Sequence, residues 1–317
     1  MPSIPVTILG GSDLKPSALP ERGAELHALA AYKGAALRVG DRPLVVELLD
    51  RLAAAGFGPF AIAGPERVYG PLDTGARIIE TDSTVADNLR AAFDDHLARR
   101  DADQPYVGIL ACDVLPSVAE LRDVRARFEA ACPCALWFPF VPVPDERERL
   151  GVFGWKPLYR LVPEGERTPQ LVLPGHLALL DPAALRLGLL YRLMDCAYRT
   201  RNRSIGARRA ALVRTGFGRL LAEDARLALR LRLPNRTWTV LLSGLRVAAR
   251  LRGGELEQLE LEDRIGRIFL HRPAPPRRGI RYPVVECFGL AADADTHEEA
   301  RELERRFAAP SGGESPR

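Results

Sequence analysis

Hydrophobic and polar positions in the first half of the chain alternate between strand-like and helix-like patterns. Short apolar runs predict strands, and longer stretches with apolar residues three and four positions apart predict helices. The predicted strands cover residues 4–9, 60–63, 76–79, 106–111 and 135–140. The predicted helices cover residues 44–55, 83–98 (capped by Asp82 or Ser83) and 121–131. This alternation is typical of an α/β domain with a mostly parallel, doubly wound sheet.

The pattern changes in the second half of the chain. A strand-like stretch runs to residue 173, and from 182 to 252 leucine, alanine and arginine recur at helical spacing. A last strand is predicted at 284–290 and a last helix at 296–308, where Thr296 and Glu299 form a capping-box pattern. We therefore divide the chain into the N-terminal part of the α/β domain (1–180), a basic helical insertion (181–253), the C-terminal completion of the domain (254–309) and a disordered tail (310–317).

Charge is unevenly distributed along the 317 residues. The whole chain has 45 basic and 41 acidic side chains, a net charge of +4. The segment from Arg186 to Arg252, however, contains 16 arginines and only three acidic residues. The insertion is therefore strongly basic, whereas the rest of the chain is acidic.

Lysine is rare, since only Lys15, Lys33 and Lys156 interrupt an otherwise arginine-only set of basic residues. A coding bias toward arginine explains most of this. The lysines that remain are candidates for places where a compact, mobile ammonium is needed. Lys15 and Lys33 follow the Gly10-Gly11 pair, which ends the first predicted strand.

Several classes of protein are disfavoured by the sequence. No apolar run approaches the ~18 residues of a membrane span, and residues 1–5 lack the pattern of an export signal. Five cysteines do not form a disulfide framework, and the five histidines are too scattered for a zinc site. We expect a cytoplasmic protein.

Candidate chemistry lies at the ends of predicted strands, where open α/β sheets bind ligands. Successive amides at Gly10 and Gly11 are suited to phosphate oxygens, although a plain tight turn explains the pair equally well. Asp113 follows the buried strand 106–111 and is placed to bind Mg²⁺, or else to cap the next helix. Asp293 offers a second carboxylate, in a segment where Asp295 or Thr296 is a candidate helix cap.

Together these segments resemble the nucleotidyltransferases of the molybdenum-cofactor guanylyltransferase-like type. The resemblance covers roughly residues 4–116 and 284–303. It rests on the following segments: Gly10-Gly11; Tyr32-Lys33-Gly34 through Arg42-Pro43-Leu44; Ser83-x4-Asn88; Asp113; and Asp293-Ala294-Asp295-Thr296-His297-Glu298-Glu299.

The resemblance implies a Rossmann-like GT-A-type fold and transfer of an NMP group from an NTP to a phosphate-bearing sugar, polyol or cofactor, with release of pyrophosphate. It implies catalytic roles for Lys33 and Asp113, and Mg²⁺ held by Asp113 and Asp293. The implied nucleotide-binding residues are Gly10, Gly11, Ser12, Lys15, Lys33 and Asn88. The implied acceptor-binding residues are Gly175 and His176, which stand where the family often has a Thr-Gly-Gly-Asn-like segment. Lys156 is a separate candidate for binding the acceptor phosphate, with a plain surface lysine as the alternative.

Three hypotheses stay open for the basic segment 186–252: a grip on a phosphorylated acceptor, peripheral contact with an anionic membrane, or a solvated helical face. Nucleic acid is disfavoured because aromatic residues are sparse there. Two alternative functions also remain: a nucleotide-sugar glycosyltransferase, and a non-catalytic nucleotide-binding or membrane-associated regulatory relative of the same fold.

Overall fold

The computed structural model describes residues 3–11, 32–99, 104–143, 158–199, 256–271 and 278–308, together with positions 211, 214–215, 225, 242–247 and 250. The strands are β1 (Val6–Leu9), β2 (Arg38–Val39), β3 (Arg42–Pro43), β4 (Phe60–Gly64), β5 (Arg77–Glu80), β6 (Val107–Ala111), β7 (Leu136–Trp137), β8 (Phe140–Pro142), β9 (Tyr159–Leu161), β10 (Gln170–Pro174), β11 (Leu177–Leu180) and β12 (Ile280–Arg281). The helices are α1 (Lys33–Ala36), α2 (Leu44–Ala54), α3 (Glu66–Tyr69), α4 (Val85–Arg99), α5 (Val118–Ala131), α6 (Leu187–Arg199), α7 (Gln258–Phe269) and α8 (His297–Ala308).

Seven of the described strands form one sheet in the order β12-β7-β11-β6-β1-β4-β5. Within it, β11 runs antiparallel to its neighbours β6 and β7, and the remaining pairs are parallel. The predicted mixed α/β fold with a mostly parallel, Rossmann-like sheet is confirmed. Strand β11 was not predicted as a separate strand, because its apolar run directly follows that of β10 in sequence.

Helices cover both faces of the sheet. On one face, α2, α5 and α8 bury residues such as Leu48, Phe128 and Leu303 against β1 and β6. On the other face, α4 and α6 bury Phe93 and Tyr191. A strand covered on both faces is apolar throughout, which is why β6 reads as a continuous hydrophobic run.

A small antiparallel sheet, β8-β10-β9, flanks the large one. The predicted single strand 135–140 is in fact two strands, since β7 joins the large sheet and β8 the small one. The interruption falls at Pro139, which has no N–H for a sheet hydrogen bond. The chain thus passes from one sheet to the other at this proline.

The predicted strand 284–290 is wrong. Val284 forms an isolated bridge with Phe140, and Phe288–Leu290 is a 3-10 turn. The last strand of the large sheet is instead β12. Apolar residues in this segment enter the core from a turn, and apolar patterning alone does not distinguish such a turn from a short buried strand.

Helix caps settle three of the alternatives left open by the sequence. Ser117 and Glu120 form a capping box at the start of α5, so Asp113 does not cap that helix. Thr296 caps α8 together with Glu299, as predicted. Helix α4 is capped by Thr84, which accepts from the Asp87 amide, and not by Asp82 or Ser83.

The division at residues 180 and 253 stays a prediction. Within the described parts of the second half, α6 packs on α4, and β12 returns to the large sheet beside β7. No helix among the described residues combines the length and apolarity needed to cross a membrane. The predicted tail 310–317 lies outside the described residues.

Candidate active site

The candidate site lies at the carboxyl edge of the large sheet. Strands β1, β4, β5 and β6 are parallel and end together at this edge. Gly10-Gly11 follows β1 and Asp113 follows β6. His176 stands just before β11, which is antiparallel and therefore begins at the edge where β6 ends. The topology gathers residues that are far apart in sequence.

Three carboxylates meet at this edge: Asp113, Asp293 and Asp295. The oxygen atoms they offer lie within 4.8 Å of one another. The amide of Ala294 donates to the backbone carbonyl of Asp113 at 2.9 Å, which fixes the 293–295 segment against the end of β6. The two aspartates predicted as metal ligands are thus brought together, and Asp295 joins them.

Lys33 bridges two of these carboxylates. Its Nζ donates to Asp113 Oδ2 and to Asp295 Oδ1, each at 2.7 Å. Burial by itself would lower the pKa of Lys33, but the adjacent charges of Asp113 and Asp295 outweigh burial and raise it. The lysine therefore stays charged throughout the neutral pH range.

Helix α1 owes its position to a close contact at Gly34. A Cβ on Gly34 would lie 3.0 Å from Cβ of Cys112 and 3.3 Å from Cβ of Val45. Cys112 precedes Asp113 and is itself buried, which raises the pKa of its thiol to about 12. The missing side chain at Gly34 lets the start of α1, with Lys33, approach the end of β6.

Asp295 is held in place by the cap of α8. Glu299 is fully buried, and its Oε2 accepts from the amides of Asp295 and Thr296 at 2.8 and 2.9 Å. The carboxylate side chain of Asp295 is thereby left to pair with Lys33. The capping residues do not bind the lysine; they fix the backbone from which Asp295 extends.

Asn88 and Gly11 form the floor beside β1. Asn88 on α4 is 1% exposed, and its Oδ1 accepts from Thr81 Oγ1 at 2.7 Å. Its amide nitrogen occupies the space that a Cβ on Gly11 would need. Gly11 and Asn88, which were each predicted to bind the nucleotide, are therefore in direct contact.

Tyr69 lies beneath both the glycine segment and α1. Its ring is fully buried, and it would meet a Cβ on Gly10 or on Gly64 at 2.7 Å. Its hydroxyl is 3.4 Å from the position a Cβ on Gly34 would take. The Tyr69 ring thus requires glycine at Gly10 and Gly64, and its hydroxyl is in ordinary contact distance of Gly34. The ring packs between the ends of β1 and β4 and the start of α1.

Replacing Gly10 by alanine is expected to destabilise the protein by about 1–3 kcal/mol, because the new methyl group overlaps the buried Tyr69 ring. Urea denaturation followed by circular dichroism measures the change. Gly244→Ala is the matched control, since a Cβ there meets no atom of the described residues within 4 Å. The double variant Gly10→Ala/Tyr69→Leu should lose less than the sum of the two single variants. Full additivity would contradict the proposed clash.

His176 contacts the carboxylate cluster from the β10–β11 connection. Its Nε2 lies 3.3 Å from Asp293 Oδ1, and the imidazole is about one third exposed. Gly175 precedes it, and a Cβ there would approach Pro139 to 2.9 Å. Of the three residues predicted to bind an acceptor, His176 therefore contacts a predicted metal ligand, and Gly175 is its neighbour in sequence. Ser12, Lys15 and Lys156 lie outside the described residues.

Sequence reasoning missed Asp295 as a member of the site and gave no role to Tyr69. The Asp-x-Asp spacing of Asp293 and Asp295 was a usable signal for Asp295. Asp295 was instead assigned as a candidate helix cap, and so it was left out of the predicted site. For Tyr69 no local signal exists, because its neighbours Gly10 and Gly34 are distant in sequence.

Comparison with known proteins gives no family assignment. No protein-family model matches the chain, and no curated protein matches it. The resemblance to the molybdenum-cofactor guanylyltransferase-like type therefore stays a hypothesis.

Some solved structures resemble this chain at low sequence identity. A Bacillus anthracis protein assigned as a glucose-1-phosphate thymidylyltransferase, in complex with sucrose, is 12% identical, with 98% of each chain covered and a TM-score of 0.46. CMP:2-keto-3-deoxy-manno-octonic acid synthetase complexed with CTP is 11% identical, covering 96% of this chain and 98% of that one, with a TM-score of 0.47. Mannose-1-phosphate geranyltransferase from Thermus thermophilus is 17% identical over 69% of this chain and 65% of that one, with a TM-score of 0.37. At this level of similarity, function has to be argued from the residues of the site.

Proposed function

We propose that this protein is a Mg²⁺-dependent nucleotidyltransferase that moves an NMP group from an NTP to a phosphate-bearing small molecule and releases pyrophosphate. One observation carries the proposal: three carboxylates and a lysine converge at the sheet edge where β1 ends in Gly10-Gly11. Negative and positive groups in this arrangement suit a reaction whose main demand is the positioning and neutralisation of phosphate charge.

The carboxylates fit a hard divalent cation. Mg²⁺ prefers carboxylate oxygens, and ligands on opposite sides of it are roughly 4.2 Å apart. The oxygen atoms of Asp113, Asp293 and Asp295 lie within 4.8 Å of one another, close to that span. Three carboxylates and one ammonium leave a formal charge of −2, which one divalent ion balances. Bound there, Mg²⁺ would supply Lewis-acid stabilisation of the α-phosphate and the attacking oxygen.

Lys33 is the proposed counter-charge for the departing pyrophosphate. Its ammonium is charged and paired with Asp113 and Asp295 by hydrogen bonds that a mobile side chain can exchange for phosphate oxygens. In the reaction, an acceptor phosphate oxygen forms a bond to the α-phosphorus. The bond from that phosphorus to the bridging oxygen breaks, and its electron pair leaves with pyrophosphate.

The nucleotide is proposed to lie over Gly10 and Gly11. Side chains are absent there, so the backbone can approach phosphate oxygens. The buried amide of Asn88 supports this segment from below. Ser12 and Lys15 follow directly in sequence and are proposed to contact the same nucleotide.

The acceptor is proposed to approach from the side of Gly175 and His176. His176 is partly exposed and touches Asp293, so a group bound to its imidazole would be close to the proposed metal ligands. Lys156 is proposed as a further ligand of the acceptor phosphate. The basic segment 186–252 remains a candidate for gripping the acceptor or for peripheral contact with an anionic membrane.

The test is pyrophosphate release from each of the four NTPs, with Mg²⁺ and a panel of sugar, polyol and alcohol phosphates. The proposal expects release that depends on both Mg²⁺ and an acceptor. Tight NTP binding without release would instead favour the non-catalytic relative. Transfer of a sugar from a nucleotide sugar, with no release from NTPs, would favour the glycosyltransferase.

A further inference from the structure

An apolar cavity of about 240 Å³ lies against the small sheet β8-β10-β9. The described residues that line it are all apolar or aromatic, and they include Phe138, Phe140, Tyr159 and Val172. Phe140 stands at the centre of the aromatic wall, with its ring centroid 6.3 Å from that of Phe138 and 6.5 Å from that of Tyr159. The catalytic groups described above do not account for this cavity.

The lining determines what kind of group the cavity can hold. A polar group placed there would lose its hydrogen bonds to water and gain none from the walls. A dry cavity of about 150 Å³ in another protein is known to bind benzene, a group of six carbons. By that scale, a cavity of 240 Å³ has room for on the order of ten carbon atoms.

The cavity is adjacent to the carboxylate site along the backbone. Pro174 lines the cavity, and His176, two residues later, contacts Asp293 at 3.3 Å. Two residues of extended chain span roughly 7 Å at most. The intervening Gly175 donates its N–H to the Pro139 carbonyl at 2.8 Å, which ties the cavity wall to the start of β11. The cavity and the carboxylate site therefore lie at the two ends of the short connection formed by residues 174–176.

The rim of the cavity adds apolar surface and connects it to the basic segment. Tyr159 is 37% exposed at the rim. Val247 lines the cavity from a short helical stretch at 242–247, where Leu242 and Leu245 are each 53% exposed. This stretch belongs to the basic segment 186–252, which contains 16 arginines and only three acidic residues. Arg246, the residue before Val247, is exposed. An apolar wall with a cationic side chain next to it in sequence suits a ligand that is both apolar and anionic.

We propose that the acceptor is a phosphate monoester of an apolar alcohol, an alkyl or isoprenoid phosphate of about ten carbons, whose hydrocarbon group occupies this cavity. The inference rests on the proposed function, because it names the acceptor class of the same site. The phosphate end then lies toward His176 and the carboxylates, and the hydrocarbon lies among the aromatic rings.

Equilibrium binding of a series of n-alkyl phosphates to the full chain tests this inference. Butyl, hexyl, octyl, decyl and dodecyl phosphate are titrated calorimetrically below their critical micelle concentrations, without NTP. Affinity should rise about threefold to fourfold per CH₂ and level off near ten carbons. An affinity that does not depend on chain length would overturn the proposal.

Variants at the cavity give a second readout. Val247→Trp fills the cavity from its half-buried side, and it should weaken decyl phosphate binding at least tenfold while leaving butyl phosphate unchanged. Tyr159→Ser at the exposed rim should weaken decyl phosphate binding in the same direction. Leu171→Trp is the matched control, because Leu171 is 38% exposed on the same strand as Val172 and lines a different cavity. Binding only above the micelle concentration, unchanged in Val247→Trp, would contradict the cavity and indicate a membrane surface instead.

The binding assay separates this inference from the proposed reaction. Chain-length-dependent binding without pyrophosphate release supports the cavity and contradicts the transferase. Pyrophosphate release with small polar phosphates, together with binding that ignores chain length, contradicts the cavity and leaves the transferase standing.

Discussion

Asp113→Asn is expected to lower kcat for pyrophosphate release by about 1000-fold while the protein stays folded. The substitution keeps the size of the side chain but removes a negative charge from the set formed with Asp293 and Asp295. Losing one carboxylate weakens the binding of the divalent ion. The transition state then loses about 4 kcal/mol of charge stabilisation. The amide can still face Lys33, so the backbone around β6 keeps its course.

The measurement is kcat across a range of Mg²⁺ concentrations, with circular dichroism to verify folding. Asp73→Asn is the matched control, because Asp73 is exposed on the loop between α3 and β5, and it should keep wild-type kcat. An Asp113→Asn enzyme with kcat within tenfold of wild type would rule out the metal-ligand role.

Lys33→Met is expected both to reduce kcat by more than 100-fold and to destabilise the protein at pH 7. The ammonium sits 2.7 Å from two carboxylates, and its side chain is 13% exposed. Removing it leaves Asp113 and Asp295 close together without a cation, at a cost of about 3 kcal/mol in the free energy of unfolding. The loss of kcat follows from the missing counter-charge for pyrophosphate.

The destabilisation should depend on Mg²⁺. Mg²⁺ should raise the Tm of the variant more than that of wild type, because the ion replaces the lost positive charge.

Lys33→Arg separates charge from shape. Arginine keeps the positive charge, so the free energy of unfolding should remain near that of wild type. Its planar guanidinium is less able than an ammonium to exchange carboxylate for phosphate partners, so kcat should still fall. If Lys33→Met were as stable and as active as wild type, the lysine would be a surface charge without a role in the site.

Much of the fold was predictable because the spacing of apolar residues in the sequence follows the periodicity of helices and strands. The apolar run of β6 and the helical spacing of α2 each place their elements within a residue or two of the observed bounds. The predictions fail where the buried residues do not recur at the regular spacing of a helix or a single strand. The segment 284–290 enters the core through a turn, and the 135–140 run divides between two sheets at Pro139.

The candidate site, like the fold, was predictable only in part. From the sequence alone, Gly10-Gly11, Lys33, Asp113 and Asp293 were predicted as the residues of the site. Each stands beside a recognisable element boundary, and parallel strands bring their carboxyl ends to a common edge.

Which of these residues are in contact follows from the packing of distant segments. The pairing of Lys33 with Asp295 joins residues 262 positions apart. The close approach of the Tyr69 ring to Gly10 and Gly64 depends on where β1, β4 and α3 pack. Sequence patterns report whether a side chain is buried and how its own segment folds. They do not report distances between segments, because those depend on how the side chains of the packed elements fit together.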